Sequence, residues 1–224
     1  MRVKKLTVIG GLGFIGSHVC AKFLDEGWEV NAVDHMAEKT QEKQMIEMNM
    51  GRNAHFTFIH KNVNEVRLSN ENAVYVYVAD NEKKEEVLAF ASSLNHHDRL
   101  LYLSTTRGSE LRTSLEEELQ ALARSKPFGL LILRSPQAYG LHSNLALTHI
   151  DEQVKQGNSD LIYINDLVDY VYAVMEKENG MYSLEGSEQE NGDILPFSPK
   201  WTLEEGLRAY REAEKKWIRQ NDLK

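Results

Sequence analysis

A glycine cluster near the N-terminus constrains this chain more than any other feature. Gly10-Gly11-Leu12-Gly13-Phe14-Ile15-Gly16 satisfies G-x-x-G-x-x-G through Gly10, Gly13 and Gly16. It also satisfies G-x-G-x-x-G through Gly11, Gly13 and Gly16. The cluster follows a short apolar run, Leu6-Thr7-Val8-Ile9, which reads as a buried strand. It opens a stretch from Phe14 to Asp25 with Phe14, Ile15, Val19, Phe23 and Leu24 at helical spacing. A second strand, Glu29 to Val33, then ends at Asp34. Strand, glycine turn, helix, and a strand ending in an acid together form a dinucleotide-binding βαβ pattern.

The chemistry explains the residue types. A pyrophosphate needs backbone N–H groups and a helix N-terminus close by, and side chains would hold it away. Gly10, Gly11, Gly13, Phe14, Ile15 and Gly16 are therefore assigned to the cofactor's phosphates. Asp34 is placed to accept hydrogen bonds from the adenosine ribose and to repel a 2′-phosphate, so the expected cofactor is NAD rather than NADP. The alternatives are a tight turn without ligand and, for Asp34, a helix N-cap or solvated loop residue.

Beyond Asp34, the segment His35 to Asn53 is polar and methionine-bearing and reads as a helix. Strands are predicted over Phe56 to Ile59, Ala73 to Ala79, Leu100 to Leu103 and Leu130 to Leu133. Helices are predicted over Glu85 to Leu94 and Leu111 to Arg124, the latter carrying a stripe of Leu111, Leu115, Leu119 and Leu122. Alternating strands and helices imply a parallel sheet, and right-handed crossovers make it a Rossmann-type, doubly wound α/β fold. After Arg134 the pattern loosens into a strand at Leu161 to Ile164, a helix at Asp166 to Glu176, a turn-rich connection at Glu185 to Pro199 and an amphipathic helix at Leu203 to Arg219. This divides the chain into a dinucleotide-binding domain, 1–140, and a reduced C-terminal region, 141–224, packed on the same domain.

At 224 residues with a net charge of −8, the chain can bury a core and lacks the basic field that nucleic acids require. No nucleic-acid partner is expected. The one cysteine, Cys20, lies in the first helical run and reads as a small buried hydrophobe. No apolar run approaches the roughly 18 residues of a membrane span, and the basic start Met1 to Lys5 leads into the glycine cluster rather than an apolar leader. A cytoplasmic protein without a membrane partner is expected. The pair His96-His97 lies in a polar turn and reads as a solvated loop, with no carboxylate spacing for a metal.

These motifs resemble the extended short-chain dehydrogenase/reductases, the NAD-dependent epimerase/dehydratase family. VIGGLGFIGSHV (Val8 to Val19) is similar to that family's opening, and FIHKNVNEV (Phe58 to Val66) to its third strand, with Asn62 where an aspartate commonly meets the adenine. LYLSTT (Leu101 to Thr106) resembles the fifth strand, which carries a catalytic Ser or Thr, and LILRSPQAYG (Leu131 to Gly140) the strand and loop that follow. LIYINDLVDYVYAVME (Leu161 to Glu176) and SPKWTLEEGLRAYREAEKKW (Ser198 to Trp217) resemble the later helices. The chain is shorter than ordinary members, after the fourth strand and beyond Tyr139. The resemblance implies NAD as cofactor, with Asn62, Val63 and Ala79 joining the cofactor site, and a nucleotide sugar as small-molecule ligand. It also implies a homodimer through the helices Glu85 to Leu94 and Leu111 to Arg124.

One departure bears on chemistry. The family's Tyr-x-x-x-Lys pair, which moves the proton, is absent: the nine tyrosines are followed four residues later by Ala79, Asn81, Thr106, Ser143, Leu167, Val174, Glu176, Gly186 and Glu214. Counting back from Arg134, the pair falls on Gly108 and Arg112, or with a two-residue deletion on Glu110 and Ser114. The same helix offers capping boxes, Thr113-x-x-Glu116 or Ser114-x-x-Glu117. Ser104, Thr105 and Thr106 retain a ledge of hydroxyls, which either touch cofactor or ligand or satisfy strand-end backbone. Tyr139 either reaches the same cleft or packs beside Gly140. Two readings follow: an NAD-binding protein with weak or lost catalysis, and a minimised enzyme with a substitute acid or base.

Overall fold

The computed structural model describes residues 4–35, 40–66, 72–78, 83–105, 110–143, 147–155, 160–184, 193–194 and 198–221. The expected alternation is present. It runs β1 (Lys5–Ile9), α1 (Phe14–Asp25), β2 (Glu29–Asp34), α2 (Gln41–Met50), β3 (Phe56–His60), β4 (Val74–Tyr77), α3 (Lys84–Ser93), β5 (Arg99–Thr105), α4 (Glu110–Ser125) and β6 (Gly129–Ser135). The second helix is shorter than the polar segment suggested, because the Thr40 hydroxyl caps it by accepting from the Lys43 amide at 3.2 Å.

The remainder holds β7 (Gln137–Tyr139), α5 (Leu147–Lys155), β8 (Leu161–Tyr163), α6 (Ile164–Val174), β9 (Gly180–Ser183), β10 (Asp193–Ile194) and α7 (Leu203–Asn221). Of these, β7, α5, β9 and β10 were not evident in the sequence. Part of the expected Glu185 to Pro199 connection lies outside the described residues.

The main sheet has eight strands in the order β10-β9-β6-β5-β4-β1-β2-β3, all pairs parallel. From β1 the chain winds outward through β2 and β3, then crosses back to β4 and winds the other way. Such a switch point opens a crevice at the carboxyl ends of the central strands, where doubly wound sheets bind ligands. A separate pair, β7 with β8, lies outside this sheet.

Strand alternation decides the two cores. Val76, Val78, Leu101, Leu103, Leu131 and Leu133 face one side and join Val19, Phe23, Leu167 and Val171 of α1 and α6. Tyr75, Tyr77, Leu100, Tyr102, Leu130 and Ile132 face the other and join Phe90 of α3 with Leu115 and Leu119 of α4. Of the leucine stripe on α4, Leu115 and Leu119 are buried, whereas Leu111 is 76% exposed. Cys20 is fully buried, and burial pushes its thiol pKa up. Among the described residues no helix is long and apolar enough to cross a membrane.

Phe23 has no exposed surface and meets Trp28 and Tyr172 edge-on at centroid distances of 5.0 and 5.2 Å. Phe23→Ala is expected to cost about 3–5 kcal/mol, through lost burial and the cavity left between α1 and α6. Urea denaturation of the two proteins measures the difference.

Candidate functional site

The crevice at the switch point is a cleft of about 1060 Å³ lined by the ends of β1, β2, β5 and β6 and the starts of α1 and α2. Its floor is the turn between β1 and α1. Gly10 sits at φ 78°, and the amides of Gly10 and Gly11 both donate to Val33 O, at 2.9 and 3.1 Å. The Gly13 amide donates to Gly10 O at 3.0 Å, and the Leu12 amide to Asp34 Oδ2 at 3.0 Å. These bonds pin the turn to β2 and engage its amides up to Gly13. The next three, Phe14 to Gly16, are first-turn amides of α1 with no acceptor one turn upstream in the helix, and these residues line the cleft. That is the arrangement an anion needs at a helix N-terminus.

The glycines divide this work. A Cβ on Gly11 would lie 2.6 Å from the Ala32 Cβ, so Gly11 lets the turn lie against β2 and is not among the residues lining the cleft. A Cβ on Gly16 would overlap the Gly10 carbonyl, so Gly16 allows α1 to start there. Gly10 and Gly13 line the cleft directly.

At one end of the cleft stand Val33, Asp34, Lys43, Ile46, Asn62 and Val63. Asp34 is more committed than the sequence suggested. Besides the Leu12 amide, it takes the His35 amide and Lys43 Nζ on Oδ1, both at 2.9 Å. The Asn62 amide donates to Glu65 Oε2 at 3.1 Å, which fixes the turn carrying Asn62 and Val63.

Ser104, Thr105, Arg112, Ser135, Gln137 and Ala138 line the other end. Ser104 and Arg134 are register partners on β5 and β6, on the face that packs against α4. There Ser104 Oγ donates to Glu116 Oε1, and Arg134 Nε donates to Glu116 Oε2 at 3.0 Å. Glu116 is 2% exposed. The capping-box expectation is therefore wrong: α4 starts at Glu110, Glu116 lies beneath β5, and Ser114 accepts from Lys84 Nζ at 2.8 Å. Glu116 was missed as a site residue, although a carboxylate beside the leucine stripe and an arginine in an apolar strand were a readable pair.

Tyr139 does not reach the cleft, which corrects its assignment as a candidate catalytic residue. It is 1% exposed, its hydroxyl donates to Leu203 O at 3.4 Å, and its ring packs on Tyr163. Burial, with Tyr163 and Asp166 nearby, raises its phenol pKa. Thr106 and Ala79 lie outside the described residues. Burial lowers the pKa of His18, whose Nδ1 is 2.8 Å from Phe14 O at the start of α1.

A switch-point cleft floored by glycines and helix-start amides defines a dinucleotide-binding α/β protein. More narrowly, the chain belongs to the NAD dependent epimerase/dehydratase family, whose model matches residues 6–158, and its cofactor is NAD. Among solved structures, dTDP-glucose 4,6-dehydratase from Bacillus anthracis, in complex with NAD, is similar at a TM-score of 0.70 and 13% identity, over 96% of this chain and 97% of that one. UDP-glucose 4-epimerase from Thermotoga maritima, with UDP-glucose, matches at 0.68 and 18%, over 96% and 99%. UDP-glucose 4-epimerase from Thermus thermophilus, with NAD, matches at 0.65 and 15%, over 93% and 98%. At these identities the likeness is one of fold. No curated protein sequence matches.

The Glu116 carboxylate yields a stability prediction. Glu116→Ala leaves Arg134 and Ser104 without their partner and is expected to cost about 3 kcal/mol, the low end for a broken buried pair because Arg134 is partly exposed. Chemical denaturation followed by circular dichroism checks it, and an effect below about 1 kcal/mol, typical of exposed pairs, would count against the network's role.

Proposed function

We propose that the chain holds NAD along the cleft, with its pyrophosphate on the first-turn amides of α1 and its adenosine between Asp34 and the Asn62–Val63 turn. The nicotinamide end then lies toward Ser104, Thr105 and Ser135. The observation that carries this reading is the turn itself: its amides up to Gly13 are engaged internally, and the next three belong to first-turn residues of α1 that line the cleft. The glycines also fit the cofactor, since side chains at Gly11 or Gly16 would push the turn out of place.

Bound NAD supplies a hydride acceptor, and oxidation of an alcohol then needs a group to take the hydroxyl proton. Among the described residues no tyrosine lines the cleft. Tyr139 is turned toward α7, and Arg112, which lines the cleft and takes the lysine's position in the ungapped count, cannot shuttle a proton. The function supported best is NAD binding in the nucleotide-sugar epimerase/dehydratase style, with weak or lost catalysis. One observation favours the alternative of an active, minimised enzyme: Glu116 lies one hydroxyl behind the cleft, through Ser104. A nucleotide sugar as the second ligand is suggested by the UDP-glucose and dTDP-glucose enzymes of similar fold. A homodimer across α3 and α4 fits the exposure of Leu111 on α4.

Gly13→Val places a branched side chain at the turn that holds the pyrophosphate and is expected to abolish NAD binding by calorimetry; undiminished affinity would sink the assignment. Wild-type protein given NAD with UDP-, GDP- and dTDP-sugars is expected to form NADH or epimer about 10²–10⁴-fold more slowly than an ordinary turnover of about 10 s⁻¹. Turnover near about 1 s⁻¹ would favour the active reading, with Thr105 and Glu116 the first residues to vary.

A further inference from the structure

The adenosine end of the cleft carries a cation that the glycine turn does not require. A carboxylate offers about four lone-pair sites. On Asp34, Oδ2 takes the Leu12 amide, and Oδ1 takes the His35 amide and Lys43 Nζ. Among the described residues one site then remains, on Oδ2. A ribose diol presents two hydroxyls, so Asp34 can accept from one of them. Beside it stands Lys43, which only donates.

Lys43 is also the more accessible charge of the pair, with its side chain 28% exposed against 8% for Asp34. It stands in the first turn of α2, whose dipole adds partial positive charge there. The acid beside it, Glu42, is turned to His142 Nδ1 and is not its partner in the ion pair. Asp34 does not act alone on this side of the cleft. A neutralised pair with a partly exposed ammonium opposes a 2′-phosphate far less than the unpaired carboxylate that the sequence suggested.

We propose that Lys43 is a specificity-determining residue: its ammonium neutralises Asp34 and receives an anion carried at the ribose 2′ position, so the cleft accepts NADP as well as NAD. This rests on the cofactor reading above. It makes cofactor choice a property of the Asp34–Lys43 pair, joining the end of β2 to the start of α2.

The test is calorimetric titration of NAD and NADP into the wild-type protein, Lys43→Met and Lys43→Arg, each at low and high salt. In the wild type, NADP is expected to bind within about tenfold of NAD, and the ratio should move toward NAD as salt screens the ammonium. Lys43→Met is expected to weaken NADP about tenfold or more while changing NAD less than about threefold, and Lys43→Arg should keep NADP binding. Wild type that binds NAD but not NADP overturns the inference alone. An equal loss of both dinucleotides in Lys43→Met also overturns it, because Lys43 would then hold only the shape of the turn. Wild type that binds neither overturns the cofactor reading and this inference with it.

Discussion

The connection between β1 and β2 is made twice. The strands pair in register from Lys5↔Glu29 to Ile9↔Val33, and the turn beyond β1 is then tied to the end of β2 by two amides on Val33 O and one on Asp34. The second set depends on backbones approaching more closely than side chains would allow, and it aims α1 at the cleft. Because α1 starts where the turn lets it, its first-turn amides lack intrahelical acceptors at the cleft, and a phosphate becomes the natural partner for groups that a helix cannot satisfy itself. The rest of the α1 layer follows from that start: Val19, Cys20 and Phe23 pack on the sheet, and α6 packs against α1.

At the opposite end the geometry serves a different purpose. Ser104, Glu116 and Arg134 form a buried polar network across β5, β6 and α4. A carboxylate that is 2% exposed would be costly alone, so the guanidinium and the hydroxyl must be in place together. The network commits the Ser104 proton to Glu116. Thr105, on the alternate face of β5, lines the cleft beside its register partner Ser135. The two ends therefore differ: the glycine turn and the start of α1 line one part of the cleft, while among the described residues the other end is lined by hydroxyls and Arg112 and by no tyrosine.

Much of this was legible in the sequence, for local reasons. The βαβ unit announces itself through glycine spacing, and β4 through an apolar run whose tyrosines and valines fall on alternate faces. What was not legible depends on distant partners. β9 is four residues, Gly-Met-Tyr-Ser, with no alternation of its own, and exists as a strand because it pairs with β6 from Leu131↔Gly180 to Arg134↔Ser183. Tyr139 sits beside a motif that suggests a catalytic loop, but where its phenol points is decided by α7, sixty-odd residues later. Glu116 obeys a capping pattern that α4 ignores, because Arg134 and Ser104 offer its carboxylate better partners. Lys43, nine residues from Asp34, turns out to share its charge.

We propose that the cleft is complete for the dinucleotide and incomplete for proton transfer. The most direct measurement is a crystal structure of the protein grown with NAD. The account predicts pyrophosphate oxygens within hydrogen-bond reach of the Phe14 and Ile15 amides and no tyrosine hydroxyl within such reach of the nicotinamide ribose. A cleft without NAD at saturating concentration, or a tyrosine hydroxyl bonded to that ribose, would contradict it.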